Sequence, residues 1–174
     1  MRTRYSTLQI GLHWLSALLV VTVIALPYGL DLFEPLLGGT GNVFTLHKSL
    51  GLTVLALTLL RLLARACYGT PALPGSVAPW QQSLARFGHA LLYLTLILMP
   101  LSGLLFGRRP VELFWLVEVG PVPLDNAWRD VARLFHLTTQ YLLFAMIFGH
   151  ACVALWHHYR LRDGVLQTML PRRR

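Results

Sequence analysis

Four long apolar runs dominate the chain, separated by shorter stretches rich in charge, glycine and proline. They lie at about residues 8–28, 44–63, 86–107 and 132–158, with Lys48 and Arg61 only nicking the ends of the second. A bilayer's hydrocarbon core takes about 20 helical residues, and each run meets that length. The pattern predicts an all-α fold: an integral membrane four-helix bundle forming a single domain over residues 1–174, without repeat, low-complexity tract or soluble appendage. Pro27 and Gly29 are expected to close the first helix. GGTGN (38–42) reads as a flexible approach to the second, and TPALPGSVAP (70–79) as a turn-rich connection. Ser83 is the expected cap of the third helix, and Pro100 should kink it, with Gly103 giving room. VELFWLVEVG (111–120) is apolar around two glutamates and is expected to lie as a short amphipathic helix at the outer interface. Trp128 fits the aromatic belt there; Trp14 and Trp156 fit it less clearly.

Composition agrees: 55% of residues are hydrophobic, 13% are charged, and mean hydropathy is +0.57. The net charge of +8 raises nucleic acid as a partner, but its distribution points to topology and anionic lipid instead. Arg2, Arg4, Arg61, Arg65, Arg86, Arg160, Arg162, Arg172, Arg173 and Arg174 fall on the side of both termini. Lys48, Arg108, Arg109, Arg129 and Arg133 fall on the other, diluted by Asp31, Glu34, Glu112, Glu118, Asp125 and Asp130. The positive-inside rule then places both termini in the cytoplasm. The first run is longer than a signal-peptide core and no small-residue cleavage site follows it, so it is expected to be retained. Cys67 and Cys152 are expected to pack without forming a bridge.

Seven histidines (His13, His47, His89, His136, His150, His157 and His158) lie within or at the ends of the runs. Ionisable groups at membrane depth are costly and mark functional sites. In FHLTTQYLLFAMIFGH (135–150) a histidine stands near each end. A helix separates His136 from His150 by about 21 Å along its axis and only about 40° around it. One metal ion cannot be shared at that distance; two stacked cofactors can be held. Counting from the flanking arginines puts His13 level with His150 in the inner half of the bilayer, and His47 level with His136 in the outer half. Two facing imidazoles can clamp the iron of a planar macrocycle, and Gly11, Gly51 and Gly149 leave flat clearance beside them. Zinc is the competing reading; it wants three or four ligands at one depth. His89, His157 and His158 are level near the cytoplasmic headgroups. They either protonate a quinone or are satisfied by lipid phosphate or haem propionates. Lys48, Arg129 and Arg133, with Arg108 and Arg109, either steer an anionic substrate or neutralise propionates and lipid headgroups.

The segments YSTLQIGLHWLSALL, TLHKSLG, RFGHALLYLTLILMPLSG and GHACVALWHHY…MLPRRR resemble, in order and spacing, the bacterial cytochrome b561 family over nearly the whole chain. The resemblance implies an inner-membrane four-helix bundle with two b haems. His13 and His150 then ligate the cytoplasmic-side haem and His47 and His136 the periplasmic-side haem. In members that oxidise superoxide, it implies one-electron oxidation to dioxygen at the periplasmic face, with electrons passed to ubiquinone. By their positions around His47 and His136, not by the resemblance, Lys48, Arg129 and Arg133 are the residues expected to steer that anion. Other relatives are cytochrome subunits of hydrogenases and formate dehydrogenases, fed by a redox protein donor. A haem-free transporter or assembly factor is the third expectation. Membrane lipid is a partner in every case, and a monomer or dimer is expected.

Overall fold

The computed structural model describes residues 4–72, 75 and 77–171. Arg2, Arg172, Arg173 and Arg174, and Leu73, Pro74 and Ser76 of the turn-rich connection, lie outside the described residues. Five α-helices follow in order: α1 (Thr7–Tyr28), α2 (Leu30–Leu37), α3 (Thr40–Tyr68), α4 (Pro79–Leu105) and α5 (Asn126–Trp156). Four of them, all but α2, are long and apolar enough to cross a membrane.

Local chemistry sets the ends. Ser6 Oγ accepts from the Gln9 N–H at 3.2 Å while Gln9 Oε1 accepts from the Ser6 N–H at 3.0 Å, a reciprocal capping box for α1. Gly29 closes that helix, its N–H donating to the Ala25 carbonyl at 2.7 Å. Pro27 does not close it, because it sits inside the last turn. The GGTGN segment is not a flexible approach either. Gly38 and Gly39, at φ of +76° and +128°, turn the chain as only glycine does without strain, and Thr40 already belongs to α3. Ser83 is not the cap of α4. Helix α4 opens four residues earlier on Pro79, with Gln81 Oε1 accepting from the Ala78 N–H at 3.0 Å, and Ser83 Oγ instead accepts from Arg86. Asp125 caps α5 by accepting from the Trp128 N–H at 3.0 Å. Arg129 and Arg133 are therefore helical, not loop residues.

Between α4 and α5 the expected amphipathic helix is a two-stranded antiparallel hairpin, β1 (Val111–Leu113) with β2 (Val117–Val119). Each arm alternates apolar–Glu–apolar, the period of a strand; Glu112 pairs opposite Glu118, and Val111 is buried. The hairpin is pinned to α3, where Ser49 Oγ accepts from the Phe114 N–H at 2.8 Å and Asn42 Oδ1 accepts from the Trp115 indole at 3.0 Å.

Helix α1 packs along α3, α3 along α4, and α4 along α5. At mid-height Val20, Val54, Leu96, Met99 and Leu143 form the buried apolar cluster. Leu18, Val21, Leu63 and Phe148 are exposed, as expected of a surface bathed in lipid. Cys67 and Cys152 are free but face outward instead of packing. Beyond α5 the chain makes a π turn (His157–Leu161) and a 3₁₀ turn (Leu166–Met169) that folds back beneath α1. Arg4 donates to the Gln167 and Leu170 carbonyls at 2.6 and 2.8 Å. The Trp14 indole donates to the Met169 carbonyl at 2.8 Å, so its polar edge serves this strap.

Candidate cofactor sites

Above and below the apolar cluster lie two cavities. The one on the hairpin side measures about 480 Å³ and is lined from α1, α3, α4, α5 and Val111. His47 and His136 both line it. His47 Nδ1 donates to the Val23 carbonyl at 2.8 Å. That carbonyl is available because residue 27, four positions on, is proline and has no N–H to give it. His136 Nδ1 lies 3.0 Å from the Met99 carbonyl and 3.0 Å from Ser102 Oγ. A Cβ on Gly103 would come within 3.2 Å of the His136 ring, so the close approach of α5 to α4 needs glycine there. Holding Nδ1–H on a backbone carbonyl fixes the tautomer and leaves Nε2 as the free ligand atom, the usual outer-shell device of a metal-binding histidine. Lys48 and Gly51 line the same cavity, and a Cβ on Gly51 would meet nothing within 4 Å.

The terminus-side cavity is larger, about 650 Å³, and His13, His89, His150 and His157 line it with Arg61 and Arg65. His13 on α1 faces His150 on α5 with ring centroids 6.2 Å apart. His89 stands edge-on to His150 at 5.3 Å and 78°, its Nδ1 on the Ala85 carbonyl. Arg61 donates to His13 Nδ1 at 3.1 Å and lies over the Tyr93 ring. His157 Nδ1 meets Asp163 Oδ2 at 2.5 Å. His158 stands apart from this group: it does not line the cavity, and its Nδ1 is buried without a hydrogen-bond partner among the described residues.

The basic group does not assemble as one patch. Arg133 is exposed and Lys48 half-buried at the cavity wall. Arg108 and Asp130, both exposed, are 3.9 Å apart. Arg129, by contrast, is only 8% exposed and spends its guanidinium on the carbonyls of Leu105, Gly107, Val122 and Leu124. It is a structural clasp.

These cavities fit a flat, apolar macrocycle with acidic edges. Metal–imidazole bonds of about 2 Å and a nitrogen-to-centroid distance of about 1.2 Å put two axial imidazole centroids about 6.4 Å apart, close to the 6.2 Å between His13 and His150. The T-shaped His89–His150 contact, at 5.3 Å, is too close for an iron between them. Gly11, Gly51, Gly88 and Gly149 all have open space where a Cβ would be. Arg61, Arg65 and Lys48 supply the positive charge that propionates require. A zinc site needs three or four converging ligands, and among the described residues no group of three or more His, Cys, Asp or Glu converges in that way.

Comparison with known proteins matches residues 4–172 to the family described as prokaryotic cytochrome b561. The chain belongs to the prokaryotic cytochrome b561 family. It is therefore a multi-pass membrane cytochrome that binds b-type haem and transfers electrons. A probable superoxide oxidase of Yersinia pestis is 30% identical, over 100% of this chain and 99% of its own length. Cytochrome b561 homologs 2 and 1 of Escherichia coli K12 are 29% and 27% identical, over 96% and 98% of this chain and 91% and 99% of their own lengths. Pro27 with the Val23 carbonyl, Ser102, Gly103 and Arg61 meet the cavity histidines through contacts that residue spacing does not reveal. Only the prolines and glycines were visible as punctuation.

Proposed function

We propose that this cytochrome holds two b haems, each between two histidines, and carries electrons from superoxide on the hairpin side to ubiquinone on the terminus side of the bacterial inner membrane. His13 with His150, and His47 with His136, would hold the two irons. Each haem, when bound, supplies a one-electron couple. Arg4, Arg65, Arg86, Arg160 and Arg162 at the terminus end support cytoplasmic termini by the positive-inside rule. The observation that carries the reading is the 6.2 Å opposition of His13 and His150 across a cavity walled by glycine and arginine. Ligation through Nε2 would require Arg61 to release His13 Nδ1, and that guanidinium would then be free to pair with a propionate.

With each iron held by two histidines, no position would remain for a further ligand, and a bound haem would supply outer-sphere electron transfer only. Lys48 beside His47 and Arg133 three residues before His136 provide the positive potential for an anionic donor. Arg129 offers the anion no free donor, since its guanidinium is committed to carbonyls. The terminus-side cavity extends beyond His13 and His150 to Trp80, Val165 and Leu166. That leaves apolar room for a quinone near His89 and His157. His158, outside the lining, has no role in this reading.

Purified protein should contain two haems per chain by pyridine haemochromogen. His13→Ala and His47→Ala should each lose one. Superoxide pulses should reduce the parent and yield quinol, with Lys48→Gln and Arg133→Gln slowing the reaction and flattening its salt dependence. A second reading, a cytochrome subunit fed by a protein donor, is favoured by the exposed apolar tip of the hairpin. There Trp115, Leu116 and Val117 are 48%, 83% and 59% exposed. Haem-loaded protein that ignores superoxide but co-purifies with an iron–sulfur or flavin partner would select it.

A further inference from the structure

Helix α5 does not finish as a regular helix. At His157 it widens into the π turn, and Arg162 takes a left-handed φ of 51°. One-turn π segments are frequent at functional sites. The consequence here is that Asp163 returns beneath His157, bringing Oδ2 to within 2.5 Å of Nδ1 with the two side chains only 5% and 9% exposed. The second carboxylate oxygen, Oδ1, accepts from the Val165 N–H at 3.1 Å, so the carboxylate is held from both sides. Val165, Leu166, Thr168 and Met169 then line the terminus-side cavity. Arg4 and Trp14 tie this strap to the N-terminal helix.

We propose that Asp163 is a positioning residue for quinone reduction. It grips His157 through Nδ1, so that Nε2, on the opposite ring edge, addresses a quinone oxygen in the cavity His157 lines. The inference rests on the reading of that cavity as the quinone site. A buried carboxylate is costly unless it is paired and hydrogen-bonded. Beside an imidazole it fixes the ring's orientation and which nitrogen keeps its proton. The reduction balances as quinone plus two electrons and two protons giving quinol. The two electrons come one at a time from two superoxide anions on the hairpin side, each of which leaves as dioxygen. One proton passes from His157 Nε2 to one carbonyl oxygen, and the ring is reprotonated from water at the cytoplasmic end. The second proton reaches the other oxygen from the same water. Asp163 only accepts the hydrogen bond from Nδ1 and so retains the ring as its Nδ1–H tautomer.

The test uses the full-length, haem-loaded protein in nanodiscs. Asp163→Asn keeps the shape of the carboxylate and removes its charge. It should retain haem content, absorption spectrum and melting temperature, and lose about 10- to 100-fold in kcat for quinol formation with KM unchanged. His157→Gln should lose at least as much, and the double variant should be no worse than His157→Gln alone, because Asp163 acts through that ring. Asp163→Glu should recover part of the rate and serves if Asp163→Asn fails to load haem. Nitrogen NMR of labelled histidine should show the Nδ1 proton of His157 strongly hydrogen-bonded in the parent and released in Asp163→Ala. An active parent with an equally fast Asp163→Asn, or losses that multiply in the double variant, would overturn the inference alone. A haem-loaded parent unable to reduce quinone would overturn the quinone reading and this inference with it.

Discussion

Arg129 separates two accounts of the basic residues on the hairpin side, and replacing it with Met tests them. Its side chain crosses from the first turn of α5 to the end of α4. Nε donates to Leu124 O at 3.2 Å, Nη1 to Leu105 O at 3.3 Å and also to Gly107 O, and Nη2 to Val122 O at 2.6 Å. Leu105 is the last residue of α4, where carbonyls have no helical partner and a cation is favoured. A hydrogen bond from a charged donor contributes about 1.5–3 kcal/mol, so four would total about 6–12 kcal/mol if every carbonyl were left dry. Water at the membrane surface recovers part of that, and removing one partner from a buried charged network typically costs about 3–5 kcal/mol. For a chain of this size each kcal/mol moves the midpoint by about 2–4 °C. Arg129→Met should therefore melt about 6–20 °C lower, followed by circular dichroism in detergent. Arg129→Lys should fall between, since a point charge cannot fork to four carbonyls. Arg133→Gln, at an exposed position, should leave melting unchanged while slowing reduction by superoxide and flattening its salt dependence. If Arg129→Met melts like the parent but loses salt dependence, the clasp is wrong and Arg129 is a surface charge.

Gly51 lines the hairpin-side cavity with open space at its Cβ position, so Gly51→Leu should fold normally and lose one haem per chain by haemochromogen assay. Pro27→Ala returns an N–H to compete for the Val23 carbonyl. Helix stability should rise by up to about 3 kcal/mol, while haem affinity on the hairpin side falls about tenfold as His47 loses its orienting partner. Tyr5, just before α1, has its phenol pushed above the ordinary range by burial, with the Arg65 charge partly opposing. Its neutral form is favoured in the folded state, so its contribution is intact below the ordinary tyrosine value near pH 10 and is lost as pH rises through the folded value. Tyr5→Phe should flatten that alkaline loss in a melting-versus-pH series.

Which features could be read from residues alone follows from the range of the forces involved. The long helices were legible because each needs about 20 apolar residues. Their ends were not: α3 runs five residues past Leu63 and α4 begins seven before Arg86, since long basic side chains extend toward the interface from helical positions. Helix α2 escaped notice because it spans eight residues with Pro35 inside. The hairpin was mistaken for a helix because its tip, Phe114 to Leu116, lacks the usual Gly or Asn; Phe114 and Trp115 adopt positive φ without it. Histidine depth was legible because helical rise is constant, and the structure places His13 beside His150 and both His47 and His136 on one cavity. Arg129 and Asp163 were not, because their roles depend on where a loop carbonyl or a returning chain ends up.

The spacing along α5 bears on how two sites can exchange electrons without exchanging protons. Leu143 stands seven residues from His136 and seven from His150, about two turns each way, so all three share one stripe. Apart from Arg129 at its start, Leu143 is the buried residue of α5 among those described, and it closes the cluster with Val20, Val54, Leu96 and Met99. The two cavities are thus divided by five apolar side chains. A dry apolar layer gives water and protons no partners, whereas electron transfer needs only short edge-to-edge separation. In the proposed reading this layer confines proton uptake to the terminus side, where His157 and Asp163 sit. It also ties the two sites mechanically, since Met99 lends its carbonyl to His136 while its side chain packs in the divider. A polar substitution at Leu143 should therefore disturb the hairpin-side histidine and admit water to the divider at once.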